Sequence, residues 1–166
     1  TAASADPTGG VIRRRDGSKE PNGVFEEAAH FPLAMKLITQ VGPDGAGLFF
    51  RAGTELWARF GYTSAQDGRS TEAAVSIMRQ VATAGAMKVD VVAYPDVMGD
   101  PQFIKKNVIA TYANRIRVAG AKLTIDGSPQ GFTAWRDRPY FKPISGFPVG
   151  YSGYSSITPE QALEAV

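Results

Sequence analysis

Strand and helix patterns alternate from residue 46 onwards, and this order constrains the fold more than any other feature of the chain. Apolar residues that recur at three- and four-residue steps predict amphipathic helices, and the short runs between them, bounded by turn residues, predict strands. Helices are predicted at 46–60, 71–84 and 101–110 and from Pro159, and strands at 63–67, 87–94 and 116–126. Each helix is long enough for a right-handed crossover between parallel strands.

Repeated strand–helix units of this kind are a slice of an α/β barrel or of an open doubly wound sheet. The phosphate-binding motifs GxGxxG, GxxxxGKS and GxxxxGKT are absent from the strand–helix junctions, so a nucleotide-binding sheet is the weaker choice. The predicted fold class is therefore α/β: a partial (β/α)8 TIM-type barrel of about three βα units with an N-terminal β-hairpin insertion, completed by other polypeptide segments. In this interpretation residues 1–45 are the insertion and residues 46–166 are the central βα units.

The insertion is predicted to contain short strands and helices. Residues 9–14 indicate a strand, and the Pro-Asn-Gly at 21–23 indicates a turn. The helix dipole favours acidic residues in a first turn, so residues 24–28, with two glutamates, are predicted to be helical. A second short helix at 33–38 is expected to end at the Gly-Pro pair of residues 42–43.

The composition is typical of a globular protein, with 43% hydrophobic and 20% charged residues. The net charge of +2 is too small to indicate a nucleic acid or an anionic membrane as partner, and the three arginines at 13–15 are interpreted as a solvated strand end. No apolar run approaches the roughly 18 residues of a membrane span. The absence of cysteine fits either redox compartment, and a cytoplasmic location is favoured.

The numbers of cysteine and histidine residues limit the metal sites and nucleophiles that this chain can supply. Without cysteine the chain has no thiolate metal site and no cysteine nucleophile. His30 is its only histidine, so it cannot supply a site that needs two or three histidines. A lone histidine beside acidic residues is most often a surface or cap residue, and His30 is given that role here.

Residues 120–140 carry the polar side chains that are the best candidates for catalysis or metal binding. In a strand with period two, one face carries Ala121, Leu123 and Ile125 and the other carries Lys122, Thr124 and Asp126. The Asp-Gly-Ser-Pro at 126–129 then ends the strand with turn chemistry. Two interpretations are open: an antiparallel strand with one solvated face, or a barrel strand whose polar face points to the lumen or rim near its carboxyl end, where barrels place their chemistry.

Several motifs are shared with a known family. They read DPTGGVI at 6–12, PNGV at 21–24, GYTS at 61–64 and KLTIDGS at 122–128, followed by Gly131 and Thr133-Ala134. In this order, through nearly the whole chain, they resemble family-3 amidohydrolases, the exoenzyme-regulator-like or N-substituted-formamide-deformylase-like members of the metal-dependent hydrolase superfamily. The KxxxDGS with its downstream GxTA is the most specific of these motifs.

The resemblance implies a metal-binding (β/α)8 barrel joined to a small β-sandwich. It implies that Lys122 is a metal ligand, carbamylated so that its new carboxylate bridges two metal ions. Asp126 and Ser128 are then the catalytic candidates at the mouth of the strand, where they orient metal ligands or touch the substrate. The cofactor is expected to be a divalent metal, one or two ions of zinc. Without the resemblance, Lys122 would be an inward lysine paired with Asp126 or Asp67.

The departures from the family pattern also carry predictions. The family's HxH motif, its later histidines and its last aspartate have no counterpart here, so the chain resembles an internal piece of the barrel. Its expected partners are the remaining segments of the same enzyme, which supply histidine and aspartate ligands, and a small-molecule amide substrate; an oligomer is expected. The predicted function is metal-dependent hydrolysis of amide-type C–N bonds. The alternative is a non-catalytic α/β binding or scaffold module that associates with another protein.

Overall fold

The computed structural model describes residues 2–42 and 44–166, apart from the side chain of Thr39. Its strands are β1 (Gly10–Arg14), β2 (Pro21–Glu27), β3 (Ser64–Ser70), β4 (Asp90–Pro95) and β5 (Ile116–Val118). Its helices are α1 (Phe31–Thr39), α2 (Gly45–Arg59), α3 (Glu72–Thr83), α4 (Pro101–Asn107) and α5 (Pro159–Ala165). The chain divides into two compact units: a hairpin unit, residues 2–37 with Thr124–Glu164 and Val166, and a sheet unit, Ile38–Leu123 with Ala165.

The sheet unit is built on three parallel strands in the order β3-β4-β5. Helix α3 connects β3 to β4, and α4 connects β4 to β5, so both connections are βαβ crossovers. Across the sheet Gln66 pairs with Val92, which in turn pairs with Arg117. The predicted alternation of strands and helices, and a mixed α/β fold with a parallel sheet, are confirmed.

The core of the sheet unit is formed by the apolar residues of α3 and of one sheet face. On β4 the burial alternates: Val91 and Ala93 are buried, whereas Val92 and Tyr94 on the other face are half-buried. The buried core cluster consists of Val75, Met78, Ala82, Met87, Val89, Val91, Ala93, Phe103, Ile116 and Val118. The α3 residues of this cluster are Val75, Met78 and Ala82, and Val75 is fully buried.

Helix α2 is where the periodicity predicted it, yet most of its larger apolar side chains lie outside this core. Its buried residues are Gly45 and Thr54, and Gly47 faces Val81 of α3, where an added Cβ would lie 3.6 Å from Val81 Cγ2. Gly47 thus lies close to α3, and Phe50 of α2 packs against the core cluster. The apolar stripe of α2 is exposed instead: Leu48, Phe49, Leu56, Trp57 and the following Phe60.

The β1–β2 hairpin overturns two predictions for the insertion. Residues 21–23 are not a turn and 24–28 are not a helix, because both lie in or next to β2, which pairs antiparallel with β1. The acidic residue that suggested a first helical turn is instead a cross-strand partner: Arg13 Nε lies 2.5 Å from Glu26 Oε1. Opposite charges on neighbouring strands stabilise a hairpin as effectively as a helix dipole does a first turn, so the local pattern was ambiguous.

The long strand predicted at 116–126 is also wrong in extent. β5 ends at Val118, and Lys122 and Asp126 form only isolated bridges, with Asp96 and Ser155 respectively. The neighbouring strand β4 ends at Pro95, so beyond Lys122 no ladder remains to pair with. The alternating pattern of residues 121–126 therefore does not produce a continuous strand.

The helix ends agree better with the sequence. The helix predicted at 33–38 is α1, while Pro43, its predicted terminator, lies outside the described residues. The last helix begins at Pro159 behind a capping box in which Thr158 Oγ1 accepts from the Gln161 N–H at 3.2 Å and Gln161 Oε1 accepts from the Thr158 N–H at 2.9 Å. In the part of the chain that the structure describes, no helix has both the length and the apolar character that crossing a bilayer requires.

The cap of α3 generates the first prediction. Thr71 Oγ1 accepts a hydrogen bond of 3.1 Å from the Ala74 N–H, and α3 supplies Val75, Met78 and Ala82 to the sheet-unit core. We expect Thr71→Ala to lower the free energy of unfolding by about 1 kcal/mol, the usual value of such a cap, in urea denaturation. The exposed Thr83→Ala, at the other end of α3, is the control and is expected to be neutral. Equal losses in the two variants would contradict the assignment of the cap.

Candidate functional site

The carboxyl edge of the parallel sheet gathers the first group of polar residues. β3 ends at Ser70 and β4 at Pro95, and these two residues are partners in the register. The backbone of Lys122 continues this edge: its N–H donates to the Pro95 carbonyl at 2.8 Å, and its carbonyl accepts from the Val97 N–H at 2.9 Å. The predicted metal ligand therefore has its backbone held at the edge where α/β folds carry out chemistry.

Asp96 is the acidic residue that pairs with Lys122 through the backbone. Its side chain is largely buried, with Oδ2 lying 2.7 Å from Arg69 Nε and Oδ1 accepting from the Met98 N–H at 3.0 Å. Both carboxylate oxygens are thus engaged, and the Arg69–Asp96 pair closes the edge between β3 and β4. Asp96 was not among the predicted site residues, and its place directly behind a buried strand was the signal that could have indicated it.

A cavity of about 340 Å³ opens at this edge, between the first turns of α3 and α4. Its lining includes Ser70, Asp96, Asp100 and Phe103. Ser70 is 1% exposed, and among the described residues its hydroxyl has no hydrogen-bond partner. A buried hydroxyl without a partner is costly, so a water or ligand group in this cavity would be stabilised by it.

Asp126 and Ser128 belong to the hairpin unit, at the start of the turn that the Thr133 N–H closes on the Ser128 carbonyl. Asp126 Oδ2 accepts from the Trp135 N–H at 2.9 Å. Ser128 is exposed, and its Oγ accepts from the Gly131 N–H at 3.3 Å. The two predicted catalytic residues thus lie in one turn with oriented side chains, whereas Lys122 belongs to the sheet unit.

Aromatic residues of the loop 132–154 pack on one another in the hairpin unit. Phe147 contacts Tyr151 and Phe132, with ring centroids 4.5 and 6.1 Å apart, and Phe132 contacts Tyr140 at 5.6 Å. The guanidinium of Arg13 lies 4.0 Å from the centre of the Phe147 ring. Arg13 is therefore a packed residue between an acid and an aromatic ring, and the prediction of a solvated strand end is wrong for it.

The same unit has a marked electrostatic feature at Tyr154. Its hydroxyl donates to Glu26 Oε2 at 3.2 Å. Burial, together with the charge of Glu26 and this hydrogen bond, raises the pKa of Tyr154 well above its ordinary value. Burial and the charge of Glu26 likewise raise the pKa of Tyr151. Glu26 thus has both Arg13 and Tyr154 as partners.

The described residues do not complete a metal site. No group of three or more His, Cys, Asp or Glu side chains lies close enough together in residues 2–42 and 44–166 to hold an ion. Lys122 is exposed, so this chain alone does not enclose its amine. The position of Lys122 fits one ligand at the edge of the sheet, and the remaining ligands of an ion would have to come from elsewhere.

A family model with the description "Amidohydrolase family" matches residues 1–166. The chain belongs to the amidohydrolase family. This match confirms the resemblance carried by the KxxxDGS segment and its neighbouring motifs. Membership in the amidohydrolase family supports a hydrolase segment.

Two solved structures share the fold of this amidohydrolase chain. An uncharacterized metal-dependent hydrolase from Pyrococcus horikoshii OT3 is 20% identical with a TM-score of 0.64, and 93% of this chain aligns with 31% of that one. An uncharacterized metal-dependent hydrolase from Pyrococcus furiosus is 18% identical with a TM-score of 0.65, covering 93% of this chain and 32% of that one. The amidohydrolase chain thus spans about a third of each neighbour. Among curated proteins, none matches it.

The raised pKa of Tyr154 predicts a pH dependence of stability. An unfolded tyrosine loses its proton near pH 10, whereas the folded one keeps it to higher pH, so the contribution is complete below about pH 10 and is lost as the pH rises further. We expect the melting temperature to fall less between pH 9 and pH 11 in Tyr154→Phe than in the wild type. Tyr62→Phe, at an exposed tyrosine of the sheet unit, is the control and should keep the wild-type fall. An identical fall in all three proteins would contradict the assignment.

Proposed function

We propose that this chain is the central segment of a metal-dependent amidohydrolase that hydrolyses amide-type C–N bonds at the carboxyl edge of a (β/α)8 barrel. The observation that carries the proposal is the family match over all residues, taken with the position of Lys122 at the carboxyl edge of a parallel sheet. Edges of this kind are where barrel enzymes place their catalytic groups. The coverage of about a third of each structural neighbour fits a segment of a larger barrel.

The two faces of the sheet support the barrel interpretation. One face packs on α3, as the outer face of a barrel strand does. The other face carries Gln66, Val92 and Arg117 in one register row, which are exposed or half-buried. In a closed barrel such a row becomes one contribution to the interior layers, completed by strands of the remaining segments.

Lys122 is the proposed metal ligand of this segment. Its neutral amine adds to carbon dioxide and loses a proton, which gives a carbamate with two oxygen donors and one negative charge. When bound, one or two divalent ions, expected to be zinc, supply a nucleophilic water and a positive charge opposite the developing oxyanion. The other ligands are histidines and an aspartate of the companion segments. Asp126 and Ser128 would orient that ligand shell or contact the amide substrate.

The role of Lys122 is tested by substitution in the enzyme assembled with its companion segments. Lys122→Ala removes a ligand, so metal content should fall and amide hydrolysis should drop by more than about 100-fold, beyond the loss typical of residues outside the ligand shell. Lys122→Glu restores a carboxylate on a shorter side chain and should recover part of the metal. Metal per protein is measured by elemental analysis, together with the rate of hydrolysis.

Lys88→Ala is the matched control for this experiment. Lys88 is exposed and precedes β4, at the opposite end of that strand from Lys122. Its removal should leave metal content and rate unchanged. Full metal and full rate in Lys122→Ala would show that Lys122 is only an edge lysine and that the proposed metal site is wrong.

The proposed partner is the remaining polypeptide of the same enzyme, in an oligomeric assembly. The exposed stripe of α2 supports this, since Leu48, Phe49 and Phe60 are 54%, 62% and 74% exposed. Contiguous apolar surface of this kind usually marks an interface. The same stripe favours the second candidate function, a non-catalytic α/β module that binds another protein through α2. Detection of a metal ion bound together with histidines of a companion segment would favour the amidohydrolase over the non-catalytic module.

The stripe of α2 makes a prediction for the chain expressed alone. We expect it to bind a hydrophobic dye and to self-associate, and the double variant Phe49→Gln, Leu56→Gln to reduce both. Leu163→Gln, at an exposed leucine of α5 outside the stripe, is the control and should leave dye binding as it is. A monomeric chain that melts cooperatively without binding dye would contradict the expected need for a companion.

A further inference from the structure

We propose that Glu27 and Thr133 are positioning residues that hold the Asp126-Gly127-Ser128 turn in its working geometry. This inference rests on the proposed function, in which Asp126 and Ser128 act at the site. All five residues belong to the hairpin unit. The hydrogen bond between Glu27 and Thr133 joins the end of β2 to this turn.

Thr133 is the centre of the arrangement. It is 2% exposed, and its hydroxyl both donates and accepts a hydrogen bond. It donates to Glu27 Oε1 at 2.5 Å and accepts from the Ser128 N–H at 3.0 Å. A carboxylate that accepts a hydrogen bond fixes the direction of the donor hydroxyl, so the lone pairs of Thr133 are aimed at the turn.

Backbone hydrogen bonds close the turn around the same residue. The Gly127 N–H donates to the Thr133 carbonyl at 3.3 Å, and the Thr133 N–H donates to the Ser128 carbonyl at 3.1 Å. A Cβ on Gly127 would overlap both Thr133 Oγ1 and Glu27 Oε1. Thus no side chain fits between the turn and the Glu27–Thr133 pair, and the backbone of the turn rests directly on that pair.

The backbone of Glu27 adopts an unusual conformation. Its φ is +46°, in the left-handed region that residues with a Cβ rarely adopt. It is held there by pairing with Gly10 in the hairpin and by its carbonyl, which accepts from the His30 N–H at 2.9 Å. Such conformations persist where surrounding contacts over-determine them, and they concentrate at functional sites. Here the conformation brings the carboxylate to Thr133.

These hydrogen bonds affect the positions of both predicted catalytic residues, Asp126 and Ser128. The peptide N–H groups of Ser128 and Gly127 are set by Thr133, and Asp126 is oriented by the N–H of Trp135, two residues beyond Thr133. Loss of the Thr133 hydroxyl would free the Ser128 N–H and let the turn shift. Displacements of about 1 Å at reacting groups reduce rates by about 100-fold.

The test compares three variants of the full-length protein that carries this chain. Thr133→Val keeps the shape but removes both hydrogen bonds, Thr133→Ser keeps the hydroxyl, and Glu27→Gln keeps the volume and an acceptor oxygen without the charge. Thr8→Val is the matched control: Thr8 is an exposed threonine of the same unit and lies outside residues 124–136.

Two readouts are expected to change together. In Thr133→Val, amide hydrogen exchange of the peptide spanning 126–136 should rise by about tenfold or more, as local opening becomes easier. In the same variant kcat should fall by about tenfold or more with KM within about threefold, because geometry at the reacting groups is lost while substrate binding remains. Thr133→Ser should restore both readouts, and Thr8→Val should leave both unchanged. Glu27→Gln should lie between and serves as the decisive variant if Thr133→Val does not fold.

The outcomes separate this inference from the proposed function. If exchange rises in Thr133→Val but kcat stays at the wild-type value, Glu27 and Thr133 are structural only and the inference is overturned. Unchanged exchange in both Thr133→Val and Glu27→Gln overturns it as well. If the metal-loaded wild type does not hydrolyse amides, the proposed function fails, and the exchange data still decide whether the pair holds the turn.

Discussion

The parallel pairing of β3, β4 and β5 is the constraint on which the sheet unit depends. Parallel strands bring their carboxyl ends to one edge, so Ser70, Asp96 and Lys122 are neighbours along that edge although long connections separate them in sequence. The same pairing requires crossover helices, and α3 fills one face of the sheet with Val75 and Met78. One face of the sheet therefore packs in the core, and its carboxyl edge carries polar groups.

The elements that the sequence predicted well have their own local determinants. α2 and α3 have regular apolar spacing, and Thr71 marks a helix start, so their ends agree with the prediction within two residues. Residues 24–27 lack such a determinant, since their acidic pair suits a first helical turn and also a strand opposite Arg13. Pairing with β1 decided between the two, and a tertiary contact of this kind is not visible in a local pattern.

The sequence likewise predicted part of the candidate site and missed its long-range contacts. The position of Lys122 at the carboxyl edge agrees with one of the two interpretations of residues 121–126, although the strand there is much shorter than the alternating residues indicated. The isolated pairing of Lys122 could not be foreseen, because it depends on where β4 ends. Glu27 and Thr133 are 106 residues apart, and neither periodicity nor composition indicates that they touch. The placement of Lys122, Asp126 and Ser128 in a working site stays a prediction, as does the domain boundary at residue 45.

The hairpin unit is discontinuous in sequence, and this has a consequence for the order in which the molecule folds. The sheet unit is almost one continuous stretch, and the crossovers between its strands close over much shorter sequence separations than the two parts of the hairpin unit do. The hairpin unit joins residues 2–37 to 124–164, and Glu27 cannot meet Thr133 until the chain between them has been made. During synthesis from the N-terminus, the parallel sheet can therefore form first. The β1–β2 hairpin packs against residues 124–164 only after that segment has been made.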